Sequence, residues 1–176
     1  MLLATARIAI VLALLFTLNG CGFQLRGTQA ATAMPADWQQ MNLVTGNPNS
    51  EFSREVEARF SANGIQWVDR SEADYVLKLG PERFSQRNLS LNAQARAAEL
   101  ELTMRSNFVV LSPTGEEVMP DTEATVIKQM ENDPRNVVGK AGEIQLLKAE
   151  MRTELAQQIM LRIGYFAAST RTDSPQ

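Results

Sequence analysis

Few side chains in this sequence could carry out chemistry, because the chain has one cysteine, Cys21, and no histidine. Histidine is the commonest general base and metal ligand, so Ser-His-Asp catalysis, Cys-His catalysis and histidine-based zinc sites are excluded. Pairs of carboxylates could still act as acid and base, but the acidic residues fall on positions predicted to face solvent. No glycine-rich phosphate loop or internal repeat is present. We therefore expect no catalysis, metal site or cofactor, and a role in binding or assembly is favoured.

The residues before Cys21 predict that its thiol is acylated. Arg7 precedes an apolar run, Ile8 to Leu18, which is shorter than the roughly 20 residues that a membrane-spanning helix needs and is typical of a cleaved signal peptide. The following Leu18-Asn19-Gly20-Cys21 is similar to a lipobox, whose cysteine is lipidated and becomes the first mature residue. We expect residues 1–20 to be removed and the protein to be anchored to a membrane by lipid on Cys21.

The residue after Cys21 and the net charge of the chain limit the cellular location and the kinds of partner to be expected. Gly22 follows the cysteine, and in the bacterial lipoprotein sorting rule an aspartate at this position retains a protein in the inner membrane. Gly22 therefore favours the outer membrane. The chain has 17 basic and 20 acidic residues, a formal net charge of −3. This balance gives no reason to expect a nucleic-acid partner, and an anionic ligand would need a local basic patch.

The first half of the mature chain is predicted to form short strands around one helix. A strand is expected around Trp38 to Val44, and Ser50 can cap a helix. The helix carries an apolar face with a period of four residues, made of Phe52, Val56 and Phe60. A short extended piece, Gln66 to Val68, and the alternating stretch Tyr75 to Leu79 follow.

The second half contains the clearest pattern in the sequence. Alternation predicts a long half-buried strand with these residues facing inward: Leu100, Leu102, Met104, Ser106, Phe108 and Val110. Pro113-Thr114-Gly115 predicts a hairpin turn, and Val118 to Met130 returns as a strand that Pro120 bulges or places at an edge. From Gly142, a helix is predicted from one apolar face, formed by Ile144, Leu147, Met151, Leu155, Ile159 and Ile163.

This order of elements predicts an α/β two-layer sandwich, with a roughly four-stranded mixed sheet and two helices on one face. We expect a lipidated tether over 21–36, a single domain over 37–166 and a disordered tail over 167–176. A crossover connection should make the first two strands parallel. Following the strand directions, the segments 81–97 and 131–141 should meet at one end of the sheet.

Those two segments carry a local excess of basic residues over acidic ones. The first contains Arg83, Arg87 and Arg96, and the second contains Arg135 and Lys140. Arginine supplies paired donors and lysine a point charge, so such an end could bind phosphate or carboxylate groups. Ordinary solvated loop charges are the alternative interpretation.

Several short motifs resemble the LptE family of lipopolysaccharide-assembly lipoproteins. The mature start, Cys21-Gly22-Phe23-Gln24-Leu25-Arg26-Gly27, resembles the start of family members. Similar features continue along the chain: Gly46-Asn47-Pro48-Asn49 before Ser53-Arg54, Ala98-Glu99 at the start of a long strand, and Asp133-Pro134 followed by Lys140.

The resemblance implies that the protein is a subunit of the outer-membrane lipopolysaccharide translocon and sits as a plug inside the LptD β-barrel. It also implies that the protein is not an enzyme and that it binds lipopolysaccharide. Lys140 matches a basic position that the family uses near the connection between the last strand and the last helix. The family's other basic position falls near Ala93, so Arg96 is a neighbouring substitute.

Two other classes of function remain open from the residues. The runner-up is a lipoprotein pilot or carrier for another outer-membrane component, and a carrier should have a deep apolar cavity. The third is a carboxylate enzyme acting on peptidoglycan, which should have a cleft with paired carboxylates.

Overall fold

The computed structural model describes residues 34–91, 97–132 and 137–172. They form a mixed α/β fold of one sheet and two helices, as predicted. The elements in chain order are a short 3-10 helix (Ala36–Trp38), β1 (Gln40–Thr45), α1 (Glu51–Ser61), β2 (Gln66–Trp67), β3 (Tyr75–Leu79), β4 (Arg83–Leu91), β5 (Ala97–Leu111), β6 (Glu117–Glu131) and α2 (Val137–Thr172).

Strand β5 is the centre of the sheet. β3 and β4 follow each other along one edge of β5, and both run antiparallel to it. β6 pairs antiparallel along the opposite edge for most of its length. β1 is parallel to β3 on one side and to β2 on the other, so the expected parallel arrangement is confirmed.

The junction between β3 and β4 depends on Gly80. Its N–H donates to the Asn107 carbonyl of β5 at 2.8 Å, and the Ser106 hydroxyl donates to the Gly80 carbonyl at 3.0 Å. A Cβ at Gly80 would lie 2.9 Å from the Asn107 oxygen. Only a residue without a side chain lets the two backbones approach this closely.

The alternation along β5 is confirmed. The six residues predicted to face inward are buried, and Leu102, Met104 and Val110 have no exposed surface. On the opposite face, Glu99 and Arg105 are exposed. The register with β6 shifts between Phe108 and Val110, which places the predicted bulge at Pro120.

Both helices bury one apolar face in the same core. The Ser50 hydroxyl caps α1 by accepting from the Ser53 N–H at 3.0 Å. Phe52, Val56 and Phe60 of α1 are buried, as predicted. Four residues of the predicted α2 face have no exposed surface: Met151, Leu155, Ile159 and Ile163. No helix among the described ranges combines the length and apolar character needed to cross a bilayer.

The sheet has six strands rather than about four, mainly because β4 occupies a segment that the sequence analysis read as a connection. The residues of β4 are mostly polar and follow Pro81, which is a weak strand signal. Pairing with β5 over the range Arg83 to Leu91 makes this segment a strand. β-Structure depends on such cross-strand neighbours more than on local preference.

Helix α2 is longer at both ends than predicted. It begins at Val137 rather than Gly142 and continues to Thr172, so the disordered tail expected from Ala167 is helical over 167–172. Ala167 has no exposed surface, and the Phe166 ring packs edge-on against Trp38 with centroids 6.2 Å apart. At the start of the domain, Met34 is buried in the same core, so the expected tether ends before it. Residues 1–33 and 173–176 lie outside the described ranges.

Candidate functional site

The end of the first basic segment lies close to the start of the second at one end of the sheet. β4 and β5 are joined at this end, where Leu91 pairs with Ala97. β6 also ends here, since Glu131 pairs with Glu99, and α2 starts a few residues later. The strand ends that flank the two connections therefore lie together, as expected, whereas the beginning of the segment 81–97 lies at the other end of β4.

Lys140 lies in the first turn of α2 at this end. Its side chain is partly buried, and it forms no ion pair with any side chain that the structure describes. The helix dipole is positive at this terminus, so the helix itself does not stabilise the positive charge of Lys140. The other residues expected here, Arg96 and Arg135, lie outside the described residues, as does the proposed lipidation site Cys21.

Arg87 is already paired within the sheet. Its Nε and Nη2 donate to the two carboxylate oxygens of Glu101 on β5, at 2.6 and 3.0 Å. This hydrogen bond holds the pKa of the Glu101 carboxyl below its usual value and raises the pKa of Arg87. Arg87 is also four residues from the end of β4, about 13 Å at the rise of a strand. It therefore contributes little positive charge to the shared end.

Arg83 does not lie at the shared end. It is the first residue of β4, about 26 Å along the strand from Leu91. Its partner in the register is Arg105 of β5, and both side chains are exposed on the face of the sheet opposite the core. The sequence groups Arg83 with the loop charges because β4 carries only a weak strand signal, and no sequence pattern gives a role to Arg105.

A separate cleft of about 570 Å³ opens where β1 and β3 end and α1 begins. Most of the accessible surface of its lining is apolar, although many of the lining residues carry polar side chains, and part of the lining is the Gly46-Asn47 turn. The lining includes Thr45, Asn47, Ser50, Glu51, Ser53, Glu82 and Arg152.

Arg152 of α2 organises this cleft. Its Nε and Nη2 donate to the carboxylate of Glu82 at 2.6 and 2.8 Å, and Nη1 pairs with Glu51 at the start of α1. The side-chain hydrogen bond to Glu82 is the main cause that raises the pKa of Arg152. One guanidinium therefore engages both carboxylates. The arrangement ties α2 to α1 and to the start of β4.

This ionic cluster is not apparent from the sequence. Arg152 falls outside the predicted apolar face of α2, and the three residues are distant in sequence. Nothing local marks Glu51, Glu82 and Arg152 as partners. Among the described residues, no group of three or more acidic side chains is placed to hold a metal ion.

Comparison with known proteins defines the class to which this domain belongs. The family described as lipopolysaccharide-assembly, LptE, matches residues 38–163. An LPS-assembly lipoprotein LptE of Photorhabdus laumondii is 29% identical over 145 residues, covering 82% of this chain and 77% of the relative. One of Yersinia pestis is 30% identical over 147 residues, covering 82% and 68%.

A solved structure agrees with the fold. The crystal structure of the rare lipoprotein B from Shewanella oneidensis superposes with a TM-score of 0.65 and 29% identity, covering 76% of this chain and 97% of that one. The domain is thus of the lipopolysaccharide-assembly lipoprotein class. The chain belongs to the LptE family, and this membership implies an outer-membrane lipoprotein.

Proposed function

We propose that the mature chain, anchored in the outer membrane by lipid on Cys21, assembles with an LptD β-barrel and plugs its lumen. In this position it helps to insert lipopolysaccharide into the outer leaflet, and it acts without an enzymatic step. The observation that carries the proposal is the family match, which spans residues 38–163 and so includes nearly all of the folded domain.

The outer face of the sheet supports a place inside a barrel. Neither of the two α-helices in the described residues covers this face of β5, and its residues are polar: Glu99, Glu101, Thr103, Arg105 and Asn107. Large transmembrane barrels have a polar, water-filled interior. A plug can therefore turn this polar sheet face towards the water-filled interior without exposing its core.

We further propose that Lys140 binds anionic groups of lipopolysaccharide, with Arg96 and Arg135 contributed by the adjoining connections. Lipid A and the inner core carry phosphates, which guanidinium and ammonium groups bind well. Lys140 supports this role because its charge is not neutralised by a described carboxylate. Arg83 and Arg87 are weaker members of this set, since one is distant from the end and the other is bound to Glu101.

The partner and the anchor can be tested together. The full-length protein is extracted in detergent from cells that express it, captured by a carboxyl-terminal tag, and the proteins recovered with it are identified. Recovery of one large LptD-type barrel is expected. Mass spectrometry should find Cys21 as an acylated amino terminus, and Cys21→Ala should abolish membrane attachment. Recovery of a secretin instead would favour the pilot function.

The lipopolysaccharide site needs its own comparison. Changing Lys140 and Arg96 together to glutamate should weaken binding of lipopolysaccharide several-fold, and less so at high salt, because the attraction is between partly exposed charges. Arg70→Glu is a matched control, since Arg70 lies at the opposite end of the sheet and donates only to the Pro113 carbonyl. Equal binding by the double variant and the parent would confine the function to plugging the barrel.

A further inference from the structure

Two arginines lie directly opposite each other on the outer face of the sheet. Arg83 of β4 and Arg105 of β5 are partners in the antiparallel register. Side chains at such positions start about 5 Å apart, and like charges placed there destabilise the pair of strands. Both residues are exposed, and neither forms an ion pair with a described residue.

The other arginines behave differently. Each remaining arginine whose side chain the structure describes pairs with a carboxylate or donates to a backbone carbonyl; these are Arg54, Arg59, Arg70, Arg87, Arg152 and Arg162. The same strands show the contrast most clearly, because Arg87 faces Glu101 four residues after Arg83 faces Arg105. Arg83 and Arg105 are therefore the exception among the described arginines, because each of the others has a carboxylate or a backbone carbonyl as its partner.

Polar groups surround this couple on the same face. The next row of the sheet towards Arg87 holds Ser85 opposite Thr103, which supply two hydroxyl groups. The row on the other side holds Asn107 beside Gly80, where the missing side chain leaves a shallow depression of about 200 Å³.

The charges bordering the depression are mixed. Lys78 lines it on the far side from the arginines, and Asp121 lines it from β6. The Asp121 carboxylate accepts from the Asn107 amide at 3.1 Å. Glu123 lies opposite Asn107 on β6, and neither acidic group pairs with Arg105. The basic groups remain available to a ligand.

We propose that Arg83 and Arg105 form a binding site for the phosphate group of a phosphorylated sugar, with Ser85, Thr103 and Asn107 contacting sugar hydroxyls. Two guanidinium groups on adjacent strands can each give paired hydrogen bonds to one phosphate. The bound anion also removes the repulsion between them. A phosphorylated sugar fits better than a simple anion because hydroxyl and amide groups lie on both sides of the arginine row.

The site is distinct from the end that carries Lys140, being about 26 Å away along β4. This inference rests on the proposed function only for the source of the phosphate. If the proposed function holds, the ligand is a phosphate of lipopolysaccharide, and the two arginines form a second contact point for it. The chemistry of the site would be the same for a free sugar phosphate.

The experiment uses the detergent-solubilised full-length protein and three probes. These are lipopolysaccharide from a deep-rough strain, the same material after chemical removal of its phosphates, and glucosamine 1-phosphate. The variant replaces Arg83 and Arg105 by glutamine. The matched control replaces Arg54 and Arg59 of α1 by glutamine, which removes the same number of positive charges from the helix layer on the other face of the sheet.

We expect the Arg83→Gln, Arg105→Gln variant to bind phosphorylated lipopolysaccharide about tenfold or more weakly, whereas the control binds within about twofold of the parent. Removal of the phosphates should abolish the difference between variant and parent. Without ligand, the variant should melt at the same temperature as the parent or higher, because repulsion is relieved. Glucosamine 1-phosphate should raise the melting temperature of the parent only.

The outcomes separate the two proposals. If changing Lys140 and Arg96 weakens lipopolysaccharide binding and changing Arg83 and Arg105 does not, the site inferred here is wrong and the proposed function stands. If the parent binds glucosamine 1-phosphate through the two arginines but does not bind lipopolysaccharide, the site is correct and the lipopolysaccharide role fails. A large loss of melting temperature in the arginine variant would show a structural role and overturn the inference.

Discussion

Replacing Arg152 by alanine tests whether the ionic cluster with Glu82 and Glu51 holds the fold together. The Arg152 side chain is only 15% exposed and the Glu82 side chain 24%, while that of Glu51 is 67% exposed. The substitution removes a two-pronged hydrogen bond and leaves the Glu82 carboxylate half-buried without its cation. Three elements lose their common contact: α1, the start of β4 and α2.

The size of the effect follows from burial. Breaking a fully buried ion pair costs about 3–5 kcal/mol, and breaking an exposed one about 0–1 kcal/mol. Arg152 and Glu82 lie between these limits, so we expect a loss of about 2 kcal/mol in the free energy of unfolding. For a domain of this size, that corresponds to a fall of roughly 6–10 °C in melting temperature.

The assay is urea and thermal unfolding followed by circular dichroism, with Arg87→Ala as the control. Arg87 makes the same two-pronged hydrogen bond to Glu101, but its side chain is 69% exposed. We expect Arg87→Ala to change stability much less. If both substitutions destabilise equally, burial does not set the strength of these pairs and the reasoning is refuted.

Three further perturbations test the core, the strand junction and the surface pair. Leu102→Asp should destabilise by more than about 3 kcal/mol because it buries a charge at a position with no exposed surface; normal melting would show the register of β5 to be wrong. Gly80→Ala should cost about 1–3 kcal/mol in urea unfolding, since its Cβ would meet the Asn107 oxygen at 2.9 Å, and an unchanged midpoint would contradict that close approach. Because Arg87 lowers the pKa of Glu101, the parent should be more stable than Glu101→Gln above the usual carboxyl pKa of 4.5, and thermal melts should show the difference shrinking as pH falls below it. If the stability difference between the parent and Glu101→Gln instead grew as the pH fell, the pKa of Glu101 would be raised rather than lowered in the folded protein.

The sequence was sufficient to predict an element wherever the pattern of apolar residues was local and periodic. The alternation from Leu100 to Val110 identified β5 and its buried face, and the four-residue spacing of Phe52, Val56 and Phe60 identified α1. The turn at Gly115 was also readable, because a positive φ of 97° there suits glycine. These features are decided by neighbours along the chain.

The candidate sites were predictable only in part. The sequence indicated that basic residues of two connections would meet, and the backbone places those connections together. It could not assign Arg87 to Glu101 or Arg83 to Arg105, because these partners are set by the register of β4 against β5. β4 itself carries too weak a pattern to be read without its neighbour.

By itself, the sequence determined the apolar faces and the turns, and it predicts the processing site at Cys21, since each depends on residue type and short spacing. The tertiary structure decided which charged side chains form ion pairs and which remain available to bind a ligand. It joined Arg152 to Glu82 across 70 positions of sequence, and it extended α2 past Ala167 by burying that residue in the core. The physical reason is that ion pairing and strand pairing depend on distance in space, which local spacing does not encode.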